Sequence, residues 1–349
     1  MLKIENISKD LGEFKLEDVS LEIEQGEYMV ILGPTGAGKT IILETVAGIY
    51  PPDSGRIELN GGEITFADPK DRNISMVYQD FMLFPHLSVF ENIAFGLTLK
   101  KIPQDELEKK VSEVAEIMGI SHLLHRSVTN LSGGEKQRTA ISRAIVLEPD
   151  VLLLDEPLSA LDGRTRERLR KELKRLHTRY KTTVLHVTHN FEEVFSLADR
   201  VAVINKGRII QTGVPDQVFS KPESHFIAEF VGSENIFRGR ITSGSGCSVI
   251  SVDGLKIVSN ATGLEGEAYA SVRPEDILLS REPLKTPARN SFEGAVESVT
   301  NNGTMVEIRI DAGIPFVTVL TRRGFHDIGI KEGDAVYLTF KAAAVHVFS

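Results

Sequence analysis

The run Gly33-Pro-Thr-Gly-Ala-Gly-Lys39-Thr40 constrains this chain more than any other feature, because it fits GxxxxGK[ST] and lies between an apolar strand pattern, Tyr28–Leu32, and a helical one, 41–47. The glycines let the backbone curl so that successive N–H groups face one anion. The helix start adds its positive end, and Lys39 reaches the outer phosphates. The whole loop, Gly33, Pro34, Thr35, Gly36, Ala37, Gly38, Lys39 and Thr40, is therefore expected to hold the phosphates of a nucleotide, with the Thr40 hydroxyl on Mg²⁺.

The rest of the chain as far as Val231 agrees with that start. Apolar runs at Tyr28–Leu32, 151–154, 183–187 and 201–204 alternate with helical patterns, which predicts an α/β domain with a largely parallel sheet. In 104–118, Leu107, Val111, Val114, Ala115 and Met118 fall on one helical face and Gly119 ends the pattern, so a surface helix is expected there. A chain of 349 residues with 41% hydrophobic content can build two cores. With 49 acidic against 40 basic residues and a net charge of −9, a broad nucleic-acid-binding face is excluded. The lone Cys247 can form no internal disulfide, which fits a reducing compartment. No apolar run approaches the roughly 18 residues that cross a bilayer, and the start MLKIENISKD alternates like a strand rather than a signal peptide. Work at a membrane would need a separate spanning subunit.

The run Val151-Leu-Leu-Leu-Asp155-Glu156 ends in two carboxylates where a parallel sheet presents its ligands. Asp155 is expected on Mg²⁺, and Glu156 as the general base that polarises the attacking water. Leu131-Ser132-Gly133-Gly134-Glu135 opens a helix running through Gln137, Arg138, Ala140, Ile141 and Ala144. Its Ser132 and helix-start N–H groups make a second anion site, one with no phosphate to bind within its own chain.

On these residues the chain from Met1 to about Val231 resembles the ABC ATPase family. The resemblance implies that two copies sandwich two ATPs head to tail, the loop 33–40 of one facing Ser132, Gly133 and Gly134 of the other. Asp162, in Leu158-Ser-Ala-Leu-Asp162, would cross that interface. It further implies that Gln79, in Tyr78-Gln79-Asp80, senses Mg²⁺ and the attacking water, and that His189, in Val187-Thr-His189-Asn, contacts the γ-phosphate. The family stacks adenine on an aromatic residue near the start. Here Leu11 precedes Gly12, so Phe14 either takes over the stacking or packs in the first sheet. The stretch Phe81-Met-Leu-Phe-Pro-His-Leu resembles the surface on which importer ATPases receive their membrane subunits. The implied assembly is a homodimeric ATPase at the cytoplasmic face of the membrane beneath two transmembrane permease subunits, served indirectly by an extracytoplasmic substrate-binding protein. A soluble ABC protein acting on ribosomes or DNA would carry fused paired cassettes, basic extensions or a coiled-coil insertion, and the sequence has none.

After Gly232 the texture changes to short β-type segments punctuated by glycine, which predicts an all-β, OB-like second domain over 232–349. It repeats itself, Asn235-Ile-Phe-Arg-Gly-Arg-Ile against Asn290-Ser-Phe-Glu-Gly-Ala-Val, dividing into related halves at 235–280 and 290–349. Pro287-Ala-Arg-Asn290 and Lys341-Ala-Ala-Ala-Val345 resemble the paired binding segments of molybdate-binding domains. That resemblance implies molybdate, tungstate or a related oxyanion as cargo, with sugar, polyamine or iron import as the alternative. It also places Arg289 and Lys341 beside any regulatory oxyanion. Pro287 lacks an N–H and Ala343 and Ala344 lack hydroxyls, so oxyanion binding there is expected to be weak or absent.

Overall fold

Along the first part of the chain the order is β1 (Leu2–Asp10), β2 (Lys15–Ile23), β3 (Tyr28–Leu32), α1 (Lys39–Ala47), β4 (Ser54–Leu59), β5 (Gly62–Glu63), β6 (Ile74–Val77), α2 (Val89–Leu99), α3 (Gln104–Ile117), α4 (Gly133–Ile145), β7 (Val151–Asp155), α5 (Gly163–Tyr180), β8 (Thr183–Thr188), α6 (Phe191–Leu197), β9 (Arg200–Asn205) and β10 (Arg208–Gly213). The computed structural model describes residues 1–244 and 246–348. Among them no helix is long and apolar enough to cross a membrane.

Two sheets share one core. The first, ordered β2-β1-β4-β5, is antiparallel, and β2 alternates buried and exposed residues as a sheet with one wet face does. The second, ordered β10-β9-β3-β8-β7-β6, is parallel from β9 to β6 and carries β10 antiparallel at its edge. Every residue of β3, β7 and β8 is buried, as continuous apolar runs must be when both sheet faces are covered. Leu2, Ile4 and Leu21 of the first sheet meet Ile42, Leu43 and Val46 of α1 and Ile31, Leu153 and Leu185 of the second in a single cluster. The expected inner strands are all present; β6 joins them at the parallel edge. Helix α3 buries Leu107, Val111, Val114 and Ala115 and is followed by Gly119 at φ +64°.

The chain divides into two units, Met1–Asp216 and Gln217–Ser349, a break that falls ahead of the change in texture near 231. Two short helices, α7 (Pro215–Ser220) and α8 (His225–Phe230), account for the difference. In the second unit the ring of His225 lies 4.8 Å from that of Tyr269, and His346 Nε2 lies 2.9 Å from the Pro222 carbonyl oxygen. Helical texture alone assigns this segment to the first domain; its contacts assign it to the second.

The second unit holds β11 (Asn235–Gly244), β12 (Cys247–Val252), β13 (Leu255–Ser259), β14 (Gly266–Val272), β15 (Leu278–Ser280), β16 (Asn290–Asn302), β17 (Met305–Asp311), β18 (Pro315–Thr321), α9 (Arg322–Ile328), β19 (Ala335–Phe340) and β20 (His346–Phe348). Its sheets are ordered β13-β12-β11-β14-β20 and β15-β19-β16-β17-β18, so each half lends its last strand to the other. Matching asparagines clasp the two sheets together. Asn235 Oδ1 accepts from Val317 N at 2.6 Å while Nδ2 donates to Val317 O at 2.8 Å. Asn290 repeats the pattern on Val258, at 2.7 and 2.9 Å. A side-chain amide offers the one acceptor and the donors that a strand edge needs, and both asparagines are buried. Asn235→Ala leaves two buried backbone groups unpaired, at about 1–3 kcal/mol each. The full chain carrying Asn235→Ala or Asn290→Ala is expected to show a lower urea midpoint for its β-rich unit by far-UV circular dichroism, and an unshifted midpoint would contradict the clasp.

Candidate functional site

Because β3, β8, β7 and β6 run parallel, their carboxyl ends meet at one edge, where the chain places Gly33, His189, Asp155 with Glu156, and Gln79. At Gly38 the backbone has φ +100°, and a Cβ there would lie 2.5 Å from Phe14 Cζ, so only glycine carries the loop past Phe14 into α1. Lys39, 5% exposed, folds back over the loop: Nζ donates to the Gly33 and Pro34 carbonyls at 2.9 and 3.0 Å and lies 3.6 Å from Glu156 Oε1. Burial draws its ammonium below the usual lysine range, against the pull of Glu156 and Asp155. Ala37 is buried, and its carbonyl accepts from Gly207 N at 3.0 Å, bracing the loop on the β9–β10 turn.

The Thr40 hydroxyl lies 3.1 Å from both oxygens of Asp155. Asp155 is 6% exposed, and burial holds its carboxyl above the usual range, partly offset by the Thr40 hydroxyl. A hydroxyl and a carboxylate facing each other are hard oxygen donors, which suit a small divalent cation. Glu156 has φ +43°, a left-handed conformation that costs a non-glycine residue roughly 1–2 kcal/mol. Its N–H donates to Val187 O at 3.0 Å, and its carbonyl accepts the Ser159 hydroxyl at 2.9 Å. The strained turn aims the side chain back at the loop, with Oε2 3.1 Å from His189 Nδ1. Phe14, Thr35, Gly36, Gly38, Lys39, Thr40, Ile41, Gln79 and Glu156 line a cavity of about 580 Å³. Phe14 packs against the core, as one of its two expected roles requires, and its ring also lines this cavity.

Ser132, Gly133, Gly134 and Asp162 stand elsewhere, lining a second cavity of 420 Å³ between the starts of α4 and α5. Ser132 caps α4 in a closed box: its N–H and hydroxyl both donate to Glu135 Oε2 at 2.8 Å, which holds Glu135 below the usual carboxylate range. A Cβ on Gly134 would lie 2.5 Å from Thr165 Cγ2, so glycine is required for α4 to approach α5. Asp162 caps α5, accepting from Arg164 N and Thr165 N at 3.1 Å.

Two arginines that sequence reasoning missed hold these parts in place. Arg72, 2% exposed, donates to the Thr45 and Val46 carbonyls at 3.1 and 2.8 Å, satisfying the carboxyl end of the helix that begins at Lys39. Arg143 of α4 donates to the carbonyls of Phe81 and Met82, both at positive φ, and sits 5.1 Å over the Phe84 ring. It pins the segment that follows Gln79. Long side chains reaching across the fold leave no periodic mark in a sequence.

A glycine loop, a buried lysine, a Thr–Asp pair and a Glu–His pair at a parallel-sheet edge define a P-loop nucleotide site. Residues 16–159 match the ABC transporter family and 286–347 the TOBE domain. The chain is 47% identical to the molybdate/tungstate import ATP-binding protein of Pyrococcus horikoshii, over 100% of both chains. It is 36% identical to the trehalose/maltose import ATP-binding protein of Thermococcus litoralis, over 99% of this chain and 97% of that one. A solved dimeric bacterial ABC transporter cassette superposes with a TM-score of 0.56 at 29% identity, covering 62% of this chain and 99% of its own. The chain belongs to the ABC transporter family as an import ATP-binding subunit, an enzyme that binds and hydrolyses ATP to drive transport.

The buried carboxyl of Asp155 has a stability signature. A carboxyl whose folded pKa lies above its unfolded value weakens the fold once ionised, and the penalty fades as pH falls through the folded pKa. In metal-free buffer Asp155→Asn is expected to melt about 2 °C or more above the parent at pH 8, with the gain shrinking toward acid. A variant that melts lower at pH 8 would contradict the burial cost.

Proposed function

We propose that this chain drives uptake of molybdate, tungstate or a related oxyanion, hydrolysing MgATP between two copies of itself. The pair would sit at the cytoplasmic face of the membrane beneath two transmembrane permease subunits, which receive the oxyanion from an extracytoplasmic substrate-binding protein. The cargo reading is supported by 47% full-length identity to a molybdate/tungstate import protein against 36% to a trehalose/maltose one. The chemical reading is carried by Glu156, aimed at the loop with Lys39 3.6 Å from one oxygen and His189 3.1 Å from the other.

In this reading the loop N–H groups and Lys39 bind the phosphates, and Phe14 meets the adenine. Thr40, Asp155 and Gln79 would hold Mg²⁺, which when bound neutralises charge on the β- and γ-phosphates. Glu156 accepts the proton of the attacking water, and His189 holds the γ-phosphate in line. Ser132, Gly133, Gly134 and Asp162 serve the partner copy's nucleotide, which their separate cavity supports. Exposed Met82, in the segment Arg143 pins, and Phe95, whose ring lies 4.4 Å from that of Phe84, suit an apolar permease contact.

In the second unit, β16 and β19 pair Asn290 with Phe340, which brings Arg289 and Lys341 to neighbouring positions just beyond the ladder, both exposed. Two cations without the lost N–H and hydroxyl donors make a poor oxyanion pocket, so internal cargo restrains the ATPase weakly. Glu156→Gln is expected to keep ATP binding and trap a closed dimer while hydrolysis falls at least about a hundredfold; turnover near the parental rate would remove Glu156 from the role of base. In the same assay molybdate or tungstate at micromolar concentration is expected to leave the parental rate unchanged, and inhibition there would overturn the weak pocket.

A further inference from the structure

The turn 188–190 that carries His189 joins β8 to α6, and residues from both sides of it meet beneath it. His186 on β8 is 0% exposed and Glu193 on α6 is 2% exposed, with Nε2 and Oε2 3.3 Å apart. The contact has an ion-pair distance but an angle too poor for a hydrogen bond. The other ring nitrogen, Nδ1, lies 2.9 Å from the hydroxyl of buried Tyr28 on the neighbouring strand β3.

This arrangement is not the one local chemistry favours. An N-cap residue with glutamate three positions on closes a capping box, as Ser88 does with Glu91 and Ser132 with Glu135. Asn190 and Glu193 have that spacing and Asn190 caps α6, yet the Asn190 N–H goes to Thr188 Oγ1 at 3.1 Å and Glu193 turns inward. Burial pushes the Glu193 carboxyl up, but His186, Thr188 and Arg166 together outweigh it and hold it below the usual range. The tautomer that carries its proton on Nε2, the nitrogen 3.3 Å from Glu193 Oε2, leaves Nδ1 to accept from the Tyr28 hydroxyl. The polar groups facing the pair are thus Tyr28 from β3, Thr188 from β8 and Arg166 from α5. Asp155 ends the strand that pairs Leu154 with His186. A buried imidazole–carboxylate contact is weak evidence for stability, since well-packed apolar residues often serve as well. What it supplies is a fixed arrangement of the segment 187–192 between its members.

We propose that the His186–Glu193 pair, seated by Tyr28, is a positioning device for His189, tying the end of β8 to the first turn of α6 so that the His189 ring stays on Glu156. The proposal rests on the role given to His189 above. Neither member of the pair touches a reacting atom; both act through the turn between them.

The test uses the full chain. Glu193→Ala and His186→Ala are each expected to lower kcat for ATP about ten- to a hundredfold, with KM within about twofold, because a misplacement near 1 Å costs rates of that order. Glu193→Gln, which keeps the volume and an acceptor, is expected to recover most of the loss. In a His189→Ala background Glu193→Ala is expected to add nothing further. Folded Glu193→Ala with parental kcat overturns the proposal, and so does an undiminished further loss in the His189→Ala background. Parental kcat in His189→Ala alone overturns the role of His189 itself, a separate result. Should the alanine variants fail to fold, Tyr28→Phe removes one hydroxyl only; it is expected to lower kcat about threefold at unchanged KM, and a parental kcat there overturns the proposal.

Discussion

Parallel pairing of β3, β8, β7 and β6 is the constraint on which the rest of the structure depends. It sets the ends of four strands on one edge, and each end carries a different part of the site. Register matters as much as direction. Asp155 pairs with Val187, and Glu156 N donates to Val187 O, so the ladder itself delivers Glu156 to His189 two residues further along. A slip of one residue would turn every side chain of a strand to the opposite face and separate the two.

The site keeps charges that folding alone would not. Lys39 and Asp155 are almost wholly buried, each displaced by burial from its ordinary titration range, and Glu156 holds a strained backbone to face them. Such costs are concentrated where phosphate chemistry needs a dry, preorganised set of groups. The starts of α4 and α5 carry a comparable polar set in a different cavity. On the proposed function, each of these cavities is one half of a nucleotide site, and head-to-tail pairing of two copies would join them.

Much of this was legible because it is local. The glycine loop, the apolar runs of β3, β7 and β8, the face of α3 and the cap at Ser132 each occupy a few consecutive residues with a fixed period or spacing. The parts that were not legible are long-range. Arg72 reaches back to α1, Arg143 reaches to the segment after Gln79, and His186 meets Tyr28 across a strand ladder. The repeat in the second unit displayed its halves, but the exchange of β15 and β20 depends on which neighbour each strand finds, and that leaves no trace in either copy. Short helices ahead of Asn235 read as a continuation of the first domain because texture cannot tell which core they pack on.

The most direct test of the shared interface is subunit complementation. Chains carrying Lys39→Ala lose the phosphate loop and chains carrying Ser132→Arg lose the facing surface, so each alone is expected to be inactive. In an equal mixture every mixed dimer keeps one interface with both parts intact, and ATP hydrolysis is expected to rise well above either component. A mixture as inactive as its components would contradict the account that each ATP is held between two copies.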